Sequence, residues 1–215
     1  MSHGWSCLYN KSRLRKLFIK LERVLAYIPG RVLCISQSDE ELAIKKIKIK
    51  PNQISVIPNK VPAPAVAPPN PNRSKDEKAI RILFLSRLEH PKRLDLLIKA
   101  SKLLPESNFQ IHVIGSGSKK DMWEKLSKDN FIFHGEINSF NSFHEYDGFC
   151  LISDSEGLPM SALEAASHGL PLLLSDIGGC PELINGNGIL TKNSVTELRT
   201  NLEKFINNLI RLKIT

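Results

Sequence analysis

From Ile80 onward, short apolar runs alternate with segments whose apolar residues recur every three or four positions. The runs 80–85, 110–114, 131–134, 148–152 and 172–175 have the length and the Val, Ile, Leu and Phe content of strands buried on both faces. Segments 93–104, 119–128 and 160–167 carry the helical period between them, and 140–146 predicts a turn. A closing helix is predicted over 195–213, with Leu198, Leu202, Phe205 and Ile206 on its apolar side. Strands that alternate with helices in this way predict an α/β, Rossmann-like, doubly wound parallel sheet.

The first third of the chain reads differently. Over 11–28, Leu14, Leu17, Phe18, Leu21, Val24, Leu25 and Ile28 fall at helical spacing, and Arg13, Arg15, Lys16, Lys20 and Arg23 fill much of the remainder. This predicts a basic amphipathic helix. Its apolar face is expected to pack on a protein core, with a membrane surface as the alternative partner. Segments 31–36 and 54–58 predict short strands, and 39–46 a helix capped by Ser36 or Ser38. The stretch 61–75 is rich in Pro and has no apolar period, so it predicts a linker. The expected organisation is a first segment 1–60, a linker 61–78 and a sheet domain 79–215.

Composition narrows the class. With 41% apolar and 24% charged residues, the chain has the make-up of a soluble globular protein. No apolar run approaches the roughly 18 residues of a membrane span, and the N-terminus lacks the basic and apolar regions of a secretory signal. Cys7, Cys34, Cys150 and Cys180 lack metal-site spacing, which suits reduced thiols in the cytoplasm. The net charge of +8 is confined to residues 1–60, with 12 Lys/Arg against 4 Asp/Glu; the remainder carries 18 of each sign. A basic first segment suits an anionic lipid surface or a phosphorylated substrate; nucleic acid is not expected as a partner.

The candidate chemistry lies at the carboxyl ends of the predicted strands, where open parallel sheets bind ligands. After the first comes Ser86-Arg87-Leu88-Glu89-His90-Pro91-Lys92-Arg93, whose cations suit a diphosphate. Gly115-Ser116-Gly117 follows the second and permits close approach of a ligand, although Lys120 stands where a dinucleotide fingerprint has its third Gly. Gly135-Glu136-Ile137 follows the third. After the fourth, Asp154-Ser155-Glu156-Gly157-Leu158-Pro159-Met160 leads into a helix that carries Glu164. Ionised carboxylates accept hydrogen bonds from sugar hydroxyls, so this inventory fits a nucleotide-sugar better than a nicotinamide dinucleotide.

Segments 82–94, 113–117, 133–135, 147–164 and 178–184 resemble the C-terminal half of a GT-B retaining glycosyltransferase of the family 4 type. The resemblance rests on Arg87 and Lys92 after the first strand, on Glu156 and Glu164 as a Glu-x7-Glu pair, and on the phrases Glu-Gly-Leu-Pro and Leu-Glu-Ala-Ala. Cys34-Ile35-Ser36 and Val56-Ile57-Pro58-Asn59 resemble the last part of the N-terminal, acceptor-side domain, of which 1–60 would be a remnant. The family usually has Gly where Lys60 and Arg93 stand.

The resemblance implies transfer of a sugar, with retention, from a UDP- or GDP-type donor to a glycan or lipid-linked acceptor in cell-surface polysaccharide synthesis. No cofactor and no metal are implied. Arg87 and Lys92 would hold the diphosphate, and Glu164 the ribose. Glu156 would face the transferred sugar, and the backbone of Gly157, Leu158, Pro159 and Met160 would orient it. His3 would match a family His that contacts the donor sugar. The expected location is cytoplasmic, with peripheral membrane contact through helix 11–28. The alternative is a truncated, inactive nucleotide-binding or interaction module.

Overall fold

The computed structural model describes residues 15–28, 30–62, 79–104 and 108–214. His3 and most of the expected linker lie outside them. By their contacts the residues fall into two units. The first holds Met1–Lys60 with Ser155–Pro159 and Ile177–Glu182; the second holds the rest.

In the first unit, helix α1 (Arg15–Tyr27) precedes strand β1 (Val32–Cys34), helix α2 (Gln37–Leu42) and strand β2 (Ile54–Val56). Strands β1 and β2 pair in parallel, with Val32 opposite Ile54. Ser36 is the cap of α2: its hydroxyl accepts from the Asp39 N–H at 3.0 Å. A wider turn, Ala43–Ile47, continues α2 and ends at Lys48 in the left-handed region. Ala26, Val32, Cys34, Ala43, Ile47 and Ile49 form the core, with Ile19 packed against it.

That core receives the face of α1 opposite to the expected one. Ile19 and Ala26 point inward, and the Arg23 Nε donates to the Ile47 carbonyl at 2.6 Å. The predicted stripe faces outward, with Leu17 60%, Val24 62% and Ile28 75% exposed and Phe18, Leu21 and Leu25 also open. Periodicity identified the helix and its apolar face, but it carries no information about which side the rest of the unit occupies.

In the second unit, β3 (Ile80–Leu85), α3 (Leu94–Ser101), β4 (Phe109–Ile114), α4 (Lys120–Leu126) and β5 (Phe131–Gly135) come first. Then follow β6 (Gly148–Leu151), α5 (Met160–Ser167), β7 (Leu172–Ser175), β8 (Gly188–Thr191) and α6 (Val195–Ile214). The strands form one parallel sheet in the order β5-β4-β3-β6-β7-β8, which is the doubly wound order of nucleotide-binding folds. All residues of β6 and β7 are buried, as their apolar runs require, and the one polar residue among them, Ser175 at the end of β7, is hydrogen-bonded. Strand β8 was not expected, because only Ile189 and Leu190 stand between turn-forming Asn and Gly residues and Thr191. Four residues are too few to display a period. Helix α6 buries Leu198, Leu202, Phe205, Ile206 and Leu209. A Cβ on Gly148 of β6 would come within 2.9 Å of both Phe205 and Leu209.

Candidate functional site

The strand order reverses between β3 and β6, and there the loops that leave the two strands cross. Lys92 and Ser153 form an antiparallel bridge. Beside it, the Arg93 N–H donates to the Ile152 carbonyl at 2.8 Å and the Asp154 N–H to the Pro91 carbonyl at 2.9 Å. The loop after β3 is held on its other side by the loop after β4. Ser86 N–H donates to the Ile114 carbonyl at 3.1 Å, Leu88 N–H to the Ser116 carbonyl at 2.7 Å, and Lys119 N–H to the Leu88 carbonyl at 2.9 Å.

The Gly-Ser-Gly motif serves this junction. A Cβ on Gly115 would lie 1.9 Å from the Ser86 carbonyl oxygen, and one on Gly117 would lie 2.5 Å from that of Leu88. The close approach expected of a ligand is thus occupied by the neighbouring loop. The motif seats the segment that carries Arg87. The Arg87 side chain is 78% exposed and pairs with Glu89 at 2.9 Å, a surface contact of little energy.

Arg93, which stands at a position where the resembled family has Gly, is engaged otherwise. Its guanidinium donates to both oxygens of Asp95, at 2.9 and 3.1 Å, and to both of Asp154, at 3.1 and 3.0 Å. The Asp95 hydrogen bond leads the causes that hold the Arg93 pKa above its ordinary value. Burial pushes the Asp95 carboxyl up, but the Arg93 bonds and charge outweigh it and leave that group below the usual carboxylate range. Two carboxylates therefore neutralise Arg93, which removes it from the cations that could answer a phosphate.

Asp154 is also reached by Asn193, whose amide donates to Asp154 Oδ1 at 3.0 Å and to the Ser153 carbonyl at 2.7 Å. Asn193 Oδ1 accepts from the Ser175 hydroxyl at 2.7 Å, and the hydroxyl accepts from the Ser153 N–H at 3.0 Å. This network ties together the carboxyl ends of β6, β7 and β8. The sequence held no sign of it beyond polar residues after each apolar run.

Glu156, Gly157, Leu158 and Pro159 belong by contact to the first unit. The Gly157 carbonyl accepts from the Gly179 N–H at 2.7 Å, and the Leu158 carbonyl from the Asn59 amide at 3.3 Å. Met160 opens α5, and Glu164 lies on its second turn, half-buried. Burial pushes the Glu164 carboxyl up, and His168 acts weakly the other way. The His168 ring is stacked on Phe143 at 4.6 Å, and its Nδ1 lies 2.9 Å from the Glu164 carbonyl. Sequence reading did not single out Asn59, Gly179 or Asn193 as site residues, because their contacts join segments far apart in the chain.

Comparison with known proteins places this arrangement. A family profile described as glycosyl transferases group 1 matches residues 70–213, which include the whole six-stranded sheet. The chain belongs to this family. Among curated relatives, it is 42% identical to the O-antigen biosynthesis glycosyltransferase WbnH of Escherichia coli, over 97% of this chain and 60% of that protein. It is 31% identical to the UDP-Gal:alpha-D-GlcNAc-diphosphoundecaprenol alpha-1,3-galactosyltransferase of Escherichia coli, over 98% of this chain and 58% of that protein. The chain thus spans about 60% of the length of these relatives. The lipopolysaccharide outer core galactosyltransferase WaaB, in its apo form, superposes with a TM-score of 0.70 at 26% identity, over 84% of this chain and 54% of that one. The sheet is the Rossmann-like layer of the C-terminal domain of a GT-B glycosyltransferase, as the residues 82–184 led one to expect.

Proposed function

We infer that the chain binds a nucleoside diphosphate sugar and serves as the donor-side part of a glycosyltransferase of O-antigen or related cell-surface polysaccharide assembly. The observation that carries this reading is the crossing of the loops after β3 and β6, which bears Lys92 in the bridge itself and Arg87 on the same loop. In this reading Arg87 and Lys92 bind the diphosphate and stabilise the charge that develops on it as the sugar departs. Glu164 accepts the ribose hydroxyls. Glu156 faces the transferred sugar, while the backbone of Gly157, Leu158, Pro159 and Met160 orients it. His3 is a further sugar contact. The two cations supply the charge that a metal would otherwise bring, and the anomeric configuration is retained.

A uridine donor and a lipid-linked acceptor are supported by the name of the galactosyltransferase relative, which specifies UDP-Gal and a diphosphoundecaprenol acceptor. Calorimetric titration with UDP and GDP tests the reading. Binding of UDP is expected, and absence of binding to either nucleotide overturns it. Binding without transfer to any lipid-linked glycan would favour an interaction module.

The raised pKa of Glu164 has a consequence for this site. A carboxylate whose pKa lies above its ordinary value loses the ionised, acceptor-only form earlier on acidification. UDP affinity is therefore expected to fall as the pH drops through the region just above the ordinary Glu pKa. The Glu164→Gln variant should bind several-fold more weakly at pH 7 (about 1 kcal/mol for a hydrogen bond) and lack that part of the pH profile. Parallel profiles for the two proteins would remove Glu164 from the site.

A cytoplasmic location at the membrane face belongs to the same proposal. Among the described residues, no helix is long and apolar enough to cross a membrane. The stripe Leu17, Phe18, Leu21, Val24, Leu25 and Ile28 is open on α1, with Lys16 and Lys20 exposed beside it, which suits the boundary of an anionic bilayer. Sedimentation with phosphatidylglycerol vesicles is expected to carry the protein down. The double change Leu21→Glu with Leu25→Glu should abolish this; equal sedimentation of both proteins would refute the contact.

A further inference from the structure

Glu182 has no part in the roles above, yet its carboxylate is fixed at two points. Its Oε2 accepts from the Gln37 N–H and its Oε1 from the Ser38 N–H, each at 3.1 Å. These are two of the orphan amides in the first turn of α2, and Ser36 Oγ takes the third, that of Asp39. The turn 177–182, which ends at Glu182, grips the loop that carries Glu156. The Glu182 N–H donates to the Gly179 carbonyl at 3.1 Å, and the Gly179 N–H donates to the Gly157 carbonyl at 2.7 Å.

The two glycines fit against that loop with no room to spare. A Cβ on Gly178 would lie 1.8 Å from the Glu156 carbonyl oxygen; one on Gly179 would lie 2.2 Å from that of Gly157 and 3.0 Å from the Ser36 Cβ. The Leu158 carbonyl is held separately by Asn59. Two successive peptide planes are thereby oriented. Because the Gly157–Leu158 peptide is trans, the bond to Gly179 turns the Leu158 N–H to the opposite side.

We propose that Glu182 is a positioning residue: it ties the turn 177–182 to the start of α2, and through Gly179 sets the backbone of Glu156, Gly157 and Leu158. The inference rests on the reading that this loop meets the transferred sugar. It adds that residues 36–38, which belong to the same unit as that loop, determine how the sugar end of the donor is held. The nucleotide end, assigned to Arg87, Lys92 and Glu164, is independent of Glu182.

A comparison of UDP with UDP-galactose separates these ends. In Glu182→Ala, affinity for UDP-galactose is expected to fall about 10- to 50-fold, since misplacement of a contact by about 1 Å can cost on the order of 10²-fold, while UDP affinity stays within about twofold. Glu182→Gln keeps one acceptor oxygen and should lie between wild type and Glu182→Ala. Gly179→Ala displaces the Gly157 carbonyl by another route and should reproduce the selective loss.

Unchanged affinity for UDP-galactose in Glu182→Ala overturns the proposal, as does an equal loss of both ligands, which would mark Glu182 as a stabilising cap alone. If the wild-type chain binds neither ligand, the donor-binding reading fails instead. Amide hydrogen exchange at Gly157 and Leu158 then decides the positioning role. Faster exchange at these two amides in Glu182→Ala supports it, and unchanged exchange refutes it.

Discussion

Replacing Arg87 and Lys92 together by alanine is expected to weaken UDP binding by about 10²-fold or more. A hydrogen bond to a charged group contributes about 1.5–3 kcal/mol, and each 1.4 kcal/mol is tenfold in affinity. Arg87 is largely exposed, so its share belongs at the lower end of that range. Turning to a phosphate costs it little, because the Glu89 pair it leaves is an exposed one. Arg87→Ala alone should reduce affinity about tenfold and leave the melting temperature unchanged. Arg93→Ala provides the contrast. It breaks the bonds to Asp95 and Asp154, so it should lower stability in the first place. Calorimetry and thermal melts on the three variants check this. UDP affinity equal to that of wild type in the double variant would sink the phosphate assignment.

Gly115→Ala is expected to be the most destabilising single substitution considered. Gly115 has φ +137°, which L side chains rarely adopt, and its Cβ would stand 1.9 Å from the Ser86 carbonyl oxygen. The obstacle is backbone at the end of the central strand β3, so relief requires the loop 86–93 to move or the β3–β4 register to open. A cost of about 3 kcal/mol or more is expected, which in a chain of this size is a drop of roughly 6–12 °C in melting temperature. Gly169→Ala is the control: φ is +76° there, but nothing lies within 4 Å of the added Cβ, so about 1 kcal/mol of backbone strain is all it should cost. Similar melting temperatures for the two variants would show that the seat beneath Ser86 is soft. Any Gly115→Ala protein that folds should also bind UDP more weakly, since Arg87 follows Ser86 directly.

These two experiments probe different kinds of information. The cations of 86–93 and the spacing of Glu156 and Glu164 were legible in the sequence, because both sit where an apolar run ends and a helical period begins. The Gly-Ser-Gly motif was legible too, but its purpose was not. A glycine announces that something comes close; only the fold shows that it is the Ser86–Leu88 backbone. Arg93 is the converse case. As sequence it was a third cation, and its partners Asp95 and Asp154 convert it into part of the frame.

By itself, the sequence determined the α/β class, five of the six strands of the parallel sheet, a cap for α2 at Ser36 or Ser38, between which the structure chose Ser36, and the loops that carry the candidate chemistry. These follow from short-range physics: the period of apolar residues, the preferences of Gly and Pro, and the caps of helices. Tertiary structure alone decided that α1 turns Ile19 and Ala26 to the core and leaves the richer apolar face open, that Gly188–Thr191 completes the sheet, and that Asn193, Asn59 and Glu182 hold distant loops. Such choices depend on which surfaces meet across long stretches of chain. A helix presents the same pattern to whichever neighbour arrives, and the amide that Glu182 accepts from is 144 residues away in sequence.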